Sequence, residues 1–297
     1  MTGLSALKPA AFVPADWPLR RCSRTLLASG LRWHVQTMGE GPVCLLLHGT
    51  GSATHSWRGL MPLLARHMSV VAPDLPGHGF TEAPPAARMT LPGMAGALRS
   101  LLTLAGLSPA LIVGHSAGAA IGIEMALQGM ATPRGLVGLN AALLPKQGVA
   151  GRTFSPMARL LAGLPGLPRL FAWRSHDPRV VRRLLEATGS RLDDEGVALY
   201  GRLLRDPRHD AAALEMMAHW DLPSLARALP RLSQPLLLVA GDNDRSVPPA
   251  QSQAVSALLP DAELLLLPGL GHLAHEEDPS ACAAAIENFA RRHGVLP

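Results

Sequence analysis

The chain has 297 residues, of which 48% are hydrophobic, 16% charged and 4% aromatic, and its formal net charge is +5. Charged residues are scarcer than the ~25% that is usual in soluble domains, which excludes a disordered chain or a charged coiled coil. Aromatic residues make up only 4% of the chain, with a single tyrosine, which argues against binding to nucleic acid.

Residues 1–20 are predicted to form an N-terminal extension. They contain no apolar run of signal-peptide length, and no later stretch offers the ~18 uninterrupted apolar residues of a membrane span. The three cysteines are far apart and form no C-x-x-C pair, which favours a reducing compartment over disulfides or a zinc site. We therefore expect a cytoplasmic protein, either free or associated with a membrane surface.

Short apolar runs that end in glycine-containing loops predict the strands of a sheet. An alternating pattern at 31–37 predicts an exposed strand. Uninterrupted runs predict buried parallel strands at 43–47, 69–72, 110–113, 136–139, 236–239 and 263–267. Helical patterns lie between them at 60–66, 95–104, 117–128, 250–259 and 280–292. This alternation is typical of an α/β fold with a mostly parallel sheet flanked by helices.

Residues 141–229 interrupt the alternation. They show helical pieces separated by prolines, and they predict a helical lid inserted between two strands of a core formed by 21–140 and 230–297. The lid has 13 basic and 9 acidic residues, so it carries four of the five net positive charges. An apolar lid edged with arginine suits a hydrophobic substrate with anionic groups, or an anionic membrane surface. An ordinary lid whose arginines face water explains the same pattern.

The segment ALIVGHSAGAA places a G-x-S-x-G pattern between a predicted strand and a predicted helix. Its two glycines permit a sharp turn that would expose the hydroxyl of Ser116 beside the helix N-terminus. Serine becomes nucleophilic when a base takes its proton and a carboxylate orients that base. Two later strands are followed by such residues. Asp242 and Asp244 are candidate carboxylates after the first, and His272 and His275 are candidate bases after the second. The residues alone leave the choice within each pair open.

These motifs resemble those of the α/β-hydrolase family, over residues 25–297. The resemblance implies an acid in a G-x-x-D-x-x-V-P loop, which selects Asp244, and a base in a G-H-x-x-x-x-E-x-P motif, which selects His272. With Ser116 as the nucleophile, these residues would form the catalytic site of a serine hydrolase that uses no cofactor and no metal. The serine also excludes the haloalkane-dehalogenase branch, which uses an aspartate nucleophile.

The same resemblance implies an oxyanion hole made by two backbone N–H groups. One belongs to Thr50, in the HGTGS loop after the strand at 43–47, and the other to Ala117, which follows the nucleophile. His48 would hold that loop by side-chain hydrogen bonds. The DLPGHGFT loop, residues 74–81, would serve as scaffold.

Three strings of the lid and its flanks are more discriminating than the core motifs: LVGLNAALLP, FSPMARLLA and LPRLFAWRSHDP. They resemble a narrower family, the magnesium-chelatase accessory proteins of bacteriochlorophyll synthesis. This resemblance implies a photosynthetic bacterium, a role in the magnesium branch of tetrapyrrole synthesis, a tetrapyrrole substrate, and magnesium-chelatase subunits as partners. The chain contains no G-x-x-x-x-G-K-[ST] loop such as an ATP-dependent chelatase subunit would need.

Three functions remain open from the sequence. The first, and the leading hypothesis, is a serine hydrolase that cleaves an ester or similar bond. The second is a tetrapyrrole-binding accessory or carrier protein in which the same residues are idle, because fold and function separate readily. The third is a C–C bond hydrolase or a cofactor-free peroxidase, which use similar triads.

Overall fold

A computed structural model describes residues 6–145, 166–259 and 261–297. The strands in these residues are β1 (Lys8–Pro9), β2 (Ser23–Ala28), β3 (Leu31–Met38), β4 (Val43–Leu47), β5 (Ser69–Pro73), β6 (Leu111–His115), β7 (Gly135–Leu139), β8 (Leu236–Gly241) and β9 (Glu263–Leu267). They form one sheet in the order β1-β2-β3-β5-β4-β6-β7-β8-β9. The pairs from β1 to β5 along this order are antiparallel, and all pairs from β5 to β9 are parallel.

Helices cover both faces of the sheet. They are α1 (Leu60–Leu64), α2 (Leu91–Leu104), α3 (Ala117–Leu127), α4 (Leu167–Arg174), α5 (Pro178–Ala187), α6 (Asp194–Leu204), α7 (Pro207–Ala218), α8 (Leu222–Ala228), α9 (Pro249–Leu258), α10 (Ala274–Glu277) and α11 (Pro279–Arg292). Short 3₁₀ turns lie at Arg20–Cys22, Thr54–Trp57, Ala86–Arg88 and Leu229–Arg231.

The central strands are apolar on both sides because each side faces a separate core. Successive strand residues point to opposite faces, so in β4 Leu45 and Leu47 join the core under α2 and α3. Cys44 and Leu46 join the other core, under α1 and α11. This double burial explains why β4 reads as a continuous apolar run, and it confirms the predicted mostly parallel α/β sheet.

Two strand predictions were wrong in their burial. The strand predicted as exposed at 31–37 is β3, whose polar residues His34 and Gln36 are fully buried. The His34 ring bonds to Asp74, and the amide nitrogen of Gln36 donates to the carbonyl of Pro18. The strand at 263–267 was predicted to be buried, but β9 lies at the edge of the sheet. Leu265 and Leu266 are each 38% exposed there. The remaining predicted elements agree within a few residues at their ends, and β1 and β2 had not been predicted.

Helices α4–α8 follow β7 and precede β8, where the sequence predicts a lid at 141–229. The described part of that segment contains no strand. Residues 146–165, which hold much of its apolar sequence, lie outside the described residues. The lid boundaries, the extension 1–20 and the core segments 21–140 and 230–297 stay predictions. In the described parts of the chain, every helix is too short or too polar to cross a bilayer.

Candidate active site

Ser116 occupies the turn between β6 and α3. Its backbone, at φ 51° and ψ −116°, is in a strained conformation that few residues other than glycine adopt. The neighbouring glycines make the turn sterically possible. A Cβ on Gly114 would lie 2.3 Å from the Ala119 nitrogen, and a Cβ on Gly118 would lie 2.0 Å from the Leu47 carbonyl oxygen. The G-x-S-x-G pattern is therefore a packing requirement that holds Ser116 at the carboxyl end of the parallel strands.

The structure brings Ser116, His272 and Asp244 together, although they follow three different strands. His272 Nε2 lies 3.1 Å from Ser116 Oγ, and His272 Nδ1 lies 2.8 Å from Asp244 Oδ2. An ionised carboxylate only accepts hydrogen bonds, so Nδ1 carries the imidazole proton and Nε2 is left to accept the serine proton. The three side chains form one line of hydrogen bonds, in the order that base-assisted attack by serine requires.

The Asp244 carboxylate is buried and accepts four hydrogen bonds. Oδ1 accepts from the backbone N–H groups of Ser246 and Val247, at 2.8 and 2.9 Å. Oδ2 accepts from His272 Nδ1 and from Asn140 Nδ2, both at 2.8 Å. With two donors on each oxygen, the plane of the carboxylate is fixed.

Asp242, the other acidic residue of this loop, does not contact His272. Its Oδ1 accepts a hydrogen bond of 2.6 Å from the backbone N–H of Gly269, which ties the end of β8 to the turn after β9. The side chain therefore supports a turn and lies outside the line of hydrogen bonds from Ser116 to Asp244.

The loop that carries His272 is held by residues on either side of it. Gly271 N–H donates to Glu277 Oε2 at 2.8 Å, and Leu273 N–H donates to Ser190 Oγ at 2.7 Å. The other Glu277 oxygen accepts from Arg191 N–H at 2.9 Å. Because residues 190 and 191 lie between α5 and α6, the helical insertion directly supports the position of His272.

The loop after β4 passes beside Ser116. A Cβ on Gly49 would lie 3.1 Å from the Ser116 Cβ, so only glycine permits this approach without displacement. His48 holds the loop, since its Nδ1 donates to Gly49 O and its Nε2 accepts from Leu75 N–H, both at 2.8 Å. Burial lowers the pKa of His48 to about 4, which keeps the ring neutral in this arrangement.

The two residues expected to donate to an oxyanion lie on this loop and on the serine turn. Thr50 directly follows Gly49, and Ala117 is the first residue of α3, where backbone N–H groups have no partner within the helix. Among the described residues, neither backbone N–H donates to an acceptor. Thr50 Oγ1 lies 3.4 Å from Met216 Sδ on α7, so the insertion reaches this loop too.

A buried polar network connects the loop after β4 with the insertion and with α10. Tyr200 on α6 donates to Glu276 Oε1 at 2.7 Å and accepts from Ser52 Oγ at 3.3 Å. Arg58 pairs with the other Glu276 oxygen. Burial raises the pKa of the Glu276 carboxyl, although Arg58 and Tyr200 act in the opposite direction. The network holds α6 against the loop that carries Ser52 and against α10, which begins two residues after His272.

His275, three residues after His272, lies outside the line of hydrogen bonds. Its ring packs against Trp57 and His115, with ring centroids 4.7 and 4.5 Å apart, and it is fully buried. Neither of its ring nitrogens has a hydrogen-bond partner in the described part of the chain. Burial lowers its pKa to about 3.

His275→Phe should make the protein less sensitive to acid. In the unfolded chain a histidine takes up a proton below a pH of about 6.5, whereas the folded His275 does so only near pH 3. The unfolded state therefore binds more protons between these values, and stability is lost as the pH falls through this window. We compare the unfolding free energy of His275→Phe with that of wild type at each pH. This difference should favour the variant by about 2 kcal/mol more at pH 5 than at pH 8.

Urea unfolding at the two pH values measures this gain. His67→Phe is the control, because His67 is exposed and its replacement should leave the pH dependence almost unchanged. Equal pH dependence in wild type and His275→Phe would show that His275 ionises freely in the folded protein.

Sequence reasoning missed Asn140, Ser190 and Tyr200. Asn140 could have been found, because it directly follows a buried strand, and Asp244 and His272 also follow strands within a few residues. Ser190 and Tyr200 lie in the insertion, where no motif marks a residue that folds back onto the core.

Known proteins resemble this chain over most of its length. The family model for the alpha/beta hydrolase fold matches residues 42–279. A curated relative, the magnesium-chelatase 30 kDa subunit of Rhodobacter capsulatus, is 41% identical over 89% of this chain and 93% of its own length. The pimeloyl-[acyl-carrier protein] methyl ester esterase of Xanthomonas oryzae pv. oryzae is 28% identical over 86% of this chain and 98% of its own. A solved alpha/beta hydrolase fold protein from Burkholderia ambifaria has a TM-score of 0.75 and 27% identity, covering 89% of this chain and 96% of that one.

Proposed function

The chain belongs to the alpha/beta hydrolase family, and on that premise we propose that it is a serine hydrolase that cleaves an ester or similar acyl bond. One observation carries the proposal: Ser116 Oγ, on a strained turn, lies 3.1 Å from the Nε2 of a histidine whose Nδ1 is bonded to a buried carboxylate. A serine that merely caps a helix would need neither the strained backbone nor the oriented imidazole.

In the proposed reaction Ser116 Oγ attacks the acyl carbon while His272 Nε2 takes the hydroxyl proton. The negative charge that develops on the acyl oxygen is stabilised by the N–H groups of Thr50 and Ala117, and Asp244 stabilises the imidazolium. His272 then gives its proton to the departing alcohol, which leaves an acyl-serine. Water, deprotonated by His272, then attacks the acyl carbon. The bond from this carbon to Ser116 Oγ breaks, Oγ takes the proton back from His272, and the carboxylic acid leaves.

The substrate we propose is an ester of a magnesium tetrapyrrole, in the magnesium branch of bacteriochlorophyll synthesis. Support comes from the 41% identity to a protein named as a magnesium-chelatase subunit. The basic, apolar insertion also suits a flat hydrophobic molecule with anionic groups. On α4, the large side chains of Leu170, Phe171 and Trp173 are exposed beside Arg169 and Arg174.

The same features of α4 support a peripheral contact with an anionic membrane surface as a further part of the proposal. Trp173 is 67% exposed and Leu170 55% exposed, and arginines flank them. Exposed aromatic and aliphatic residues next to arginine are typical of helices that lie at a lipid interface. The proposed location is the cytoplasm, with such a contact where the substrate is lipid-soluble.

A second candidate is favoured by the name of that relative. A protein called a chelatase subunit suggests an accessory that binds a tetrapyrrole, or the other chelatase subunits, without turning over a substrate. In that case the Ser116–His272–Asp244 arrangement would be idle.

Hydrolysis assays with wild type and Ser116→Ala distinguish the two candidates. We expect wild type to hydrolyse p-nitrophenyl butyrate and a magnesium-porphyrin methyl ester, with the higher kcat/KM for the porphyrin, and we expect Ser116→Ala to lose both activities. If both proteins bind the porphyrin equally and neither cleaves any ester, the accessory role is correct and the hydrolase is not.

A further inference from the structure

Asn140 combines nearly complete burial with a left-handed backbone conformation. It follows β7 directly, its side chain is 1% exposed, and its backbone has φ 47°, in the left-handed region. Its N–H donates to Val239 O at 2.7 Å, which anchors the backbone to the neighbouring strand. Asparagine tolerates this conformation better than most residues with a side chain. The backbone thus presents the carboxamide in a fixed direction.

The Asn140 carboxamide contacts two parts of the hydrogen-bonded line Ser116–His272–Asp244, which we call the relay. Nδ2 donates to Asp244 Oδ2 at 2.8 Å, the same oxygen that accepts from His272 Nδ1. Nδ2 also donates to the carbonyl of Gly271, the residue before His272, at 3.2 Å. One NH₂ group therefore bridges the acid loop and the histidine loop, and it uses both of its protons to do so.

The orientation of the carboxamide follows from charge. If the group were rotated by half a turn, its oxygen would face a carboxylate oxygen and a carbonyl oxygen, and three acceptors would oppose one another without a donor. The observed orientation leaves Oδ1 buried without a partner among the described residues. The unpaired Oδ1 costs free energy, but the two hydrogen bonds from Nδ2 offset this cost because they satisfy stronger acceptors, one of them a carboxylate.

We propose that Asn140 is a positioning residue for the Ser116–His272–Asp244 relay. It holds Asp244 Oδ2 where His272 Nδ1–H meets it, and through Gly271 it fixes the backbone from which His272 extends. The inference rests on the proposed hydrolase function for its catalytic consequence. Its structural part, the coupling of Asn140 to the His272–Asp244 hydrogen bond, holds independently of turnover.

Two substitutions separate this role from simple packing. Asn140→Gly removes both bonds, and glycine adopts the left-handed backbone without strain. It should lower kcat for p-nitrophenyl butyrate by about 10- to 100-fold at every pH, with KM changed by less than about twofold, because a hydrogen bond to a charged group is lost. A packing defect would instead change thermal stability without separating kcat from KM.

Asn140→Asp keeps the shape and makes the donor depend on pH. When protonated, the introduced carboxyl group can donate to Asp244 Oδ2 as the amide does; when ionised, it opposes a second carboxylate. The ratio of variant to wild-type kcat/KM should therefore fall at least tenfold as the pH rises from 6 to 9. Asn288→Asp, an exposed site on α11, is the matched control and should give a constant ratio near one.

The NMR signal of the His272 Nδ1 proton supplies a readout that needs no catalysis. It is identified by its loss in His272→Gln, and it should shift in Asn140→Gly and in Asn140→Asp at high pH, but not in Asn288→Asp. An unchanged signal in both Asn140 variants would overturn the inference, as would a pH-independent ratio for Asn140→Asp. If wild type cleaves no ester, the proposed function fails, while the NMR signal still decides whether Asn140 is coupled to the relay.

Discussion

Asp244→Asn should lower kcat for ester hydrolysis by about 10⁴-fold while the protein stays folded. All four groups that contact the Asp244 carboxylate are N–H donors, two on each oxygen. An amide has one oxygen and one NH₂ group, so in either orientation its NH₂ opposes two donors. If the NH₂ faces His272, the imidazole must present an unprotonated Nδ1, and the proton moves to Nε2. A protonated Nε2 cannot accept the proton of Ser116.

The control for this prediction is Asp242→Asn, the same substitution two residues earlier in the loop. Its oxygen can still accept the hydrogen bond from Gly269 N–H, and it does not contact His272. We expect kcat within about threefold of wild type for this variant, since surface changes of this kind have small effects. Steady-state kinetics together with thermal unfolding of both variants measures the contrast. A large loss of kcat in Asp242→Asn and a small one in Asp244→Asn would show that the acid is Asp242 and not Asp244.

Gly118→Ala should destabilise the protein by more than about 4 kcal/mol, enough to prevent recovery of folded chain. The added Cβ would lie 2.0 Å from the carbonyl oxygen of Leu47 and 2.6 Å from that of His48. Both atoms belong to the backbone at the end of β4, so they cannot rotate away as a side chain would. To admit the methyl group, α3 would have to separate from the sheet, which would also displace Ser116.

Gly96→Ala is the matched control, because it makes the same change on a helix where the Cβ meets no atom within 4 Å. Gly96 lies inside α2, where alanine is favoured over glycine by about 1 kcal/mol, so this variant should be slightly more stable than wild type. Soluble yield and urea unfolding of both variants provide the measurement. Equal stability of the two would mean that α3 has room to move away from β4.

The elements that could be predicted from sequence are those whose signal is local. Strands such as β4 and β8 show as apolar runs because both of their faces are buried. Ser116 shows as a motif because its strained turn demands glycine at fixed positions on either side. The choice of Asp244 over Asp242 came from family resemblance, since both follow the same strand and the residue pattern alone could not separate them.

What the sequence could not supply are contacts between distant residues. Asn140 donates to a carboxylate 104 positions away, and Tyr200 to one 76 positions away. Such partners depend on the register of neighbouring strands and on how the insertion folds back, and neither leaves a periodic trace. The burial of β9 was predicted wrongly for a related reason. This strand is as leucine-rich as a central one, but among the described residues no strand pairs with its outer edge.

The central claim is that Ser116 is a nucleophile activated by His272. Reaction with a fluorophosphonate probe, read by intact mass and peptide mapping, tests it without knowledge of the substrate. The account predicts one adduct per chain, located on Ser116, absent in Ser116→Ala and strongly slowed in His272→Gln. A wild-type protein that is folded and takes up no probe would contradict it, as would an adduct on any other residue.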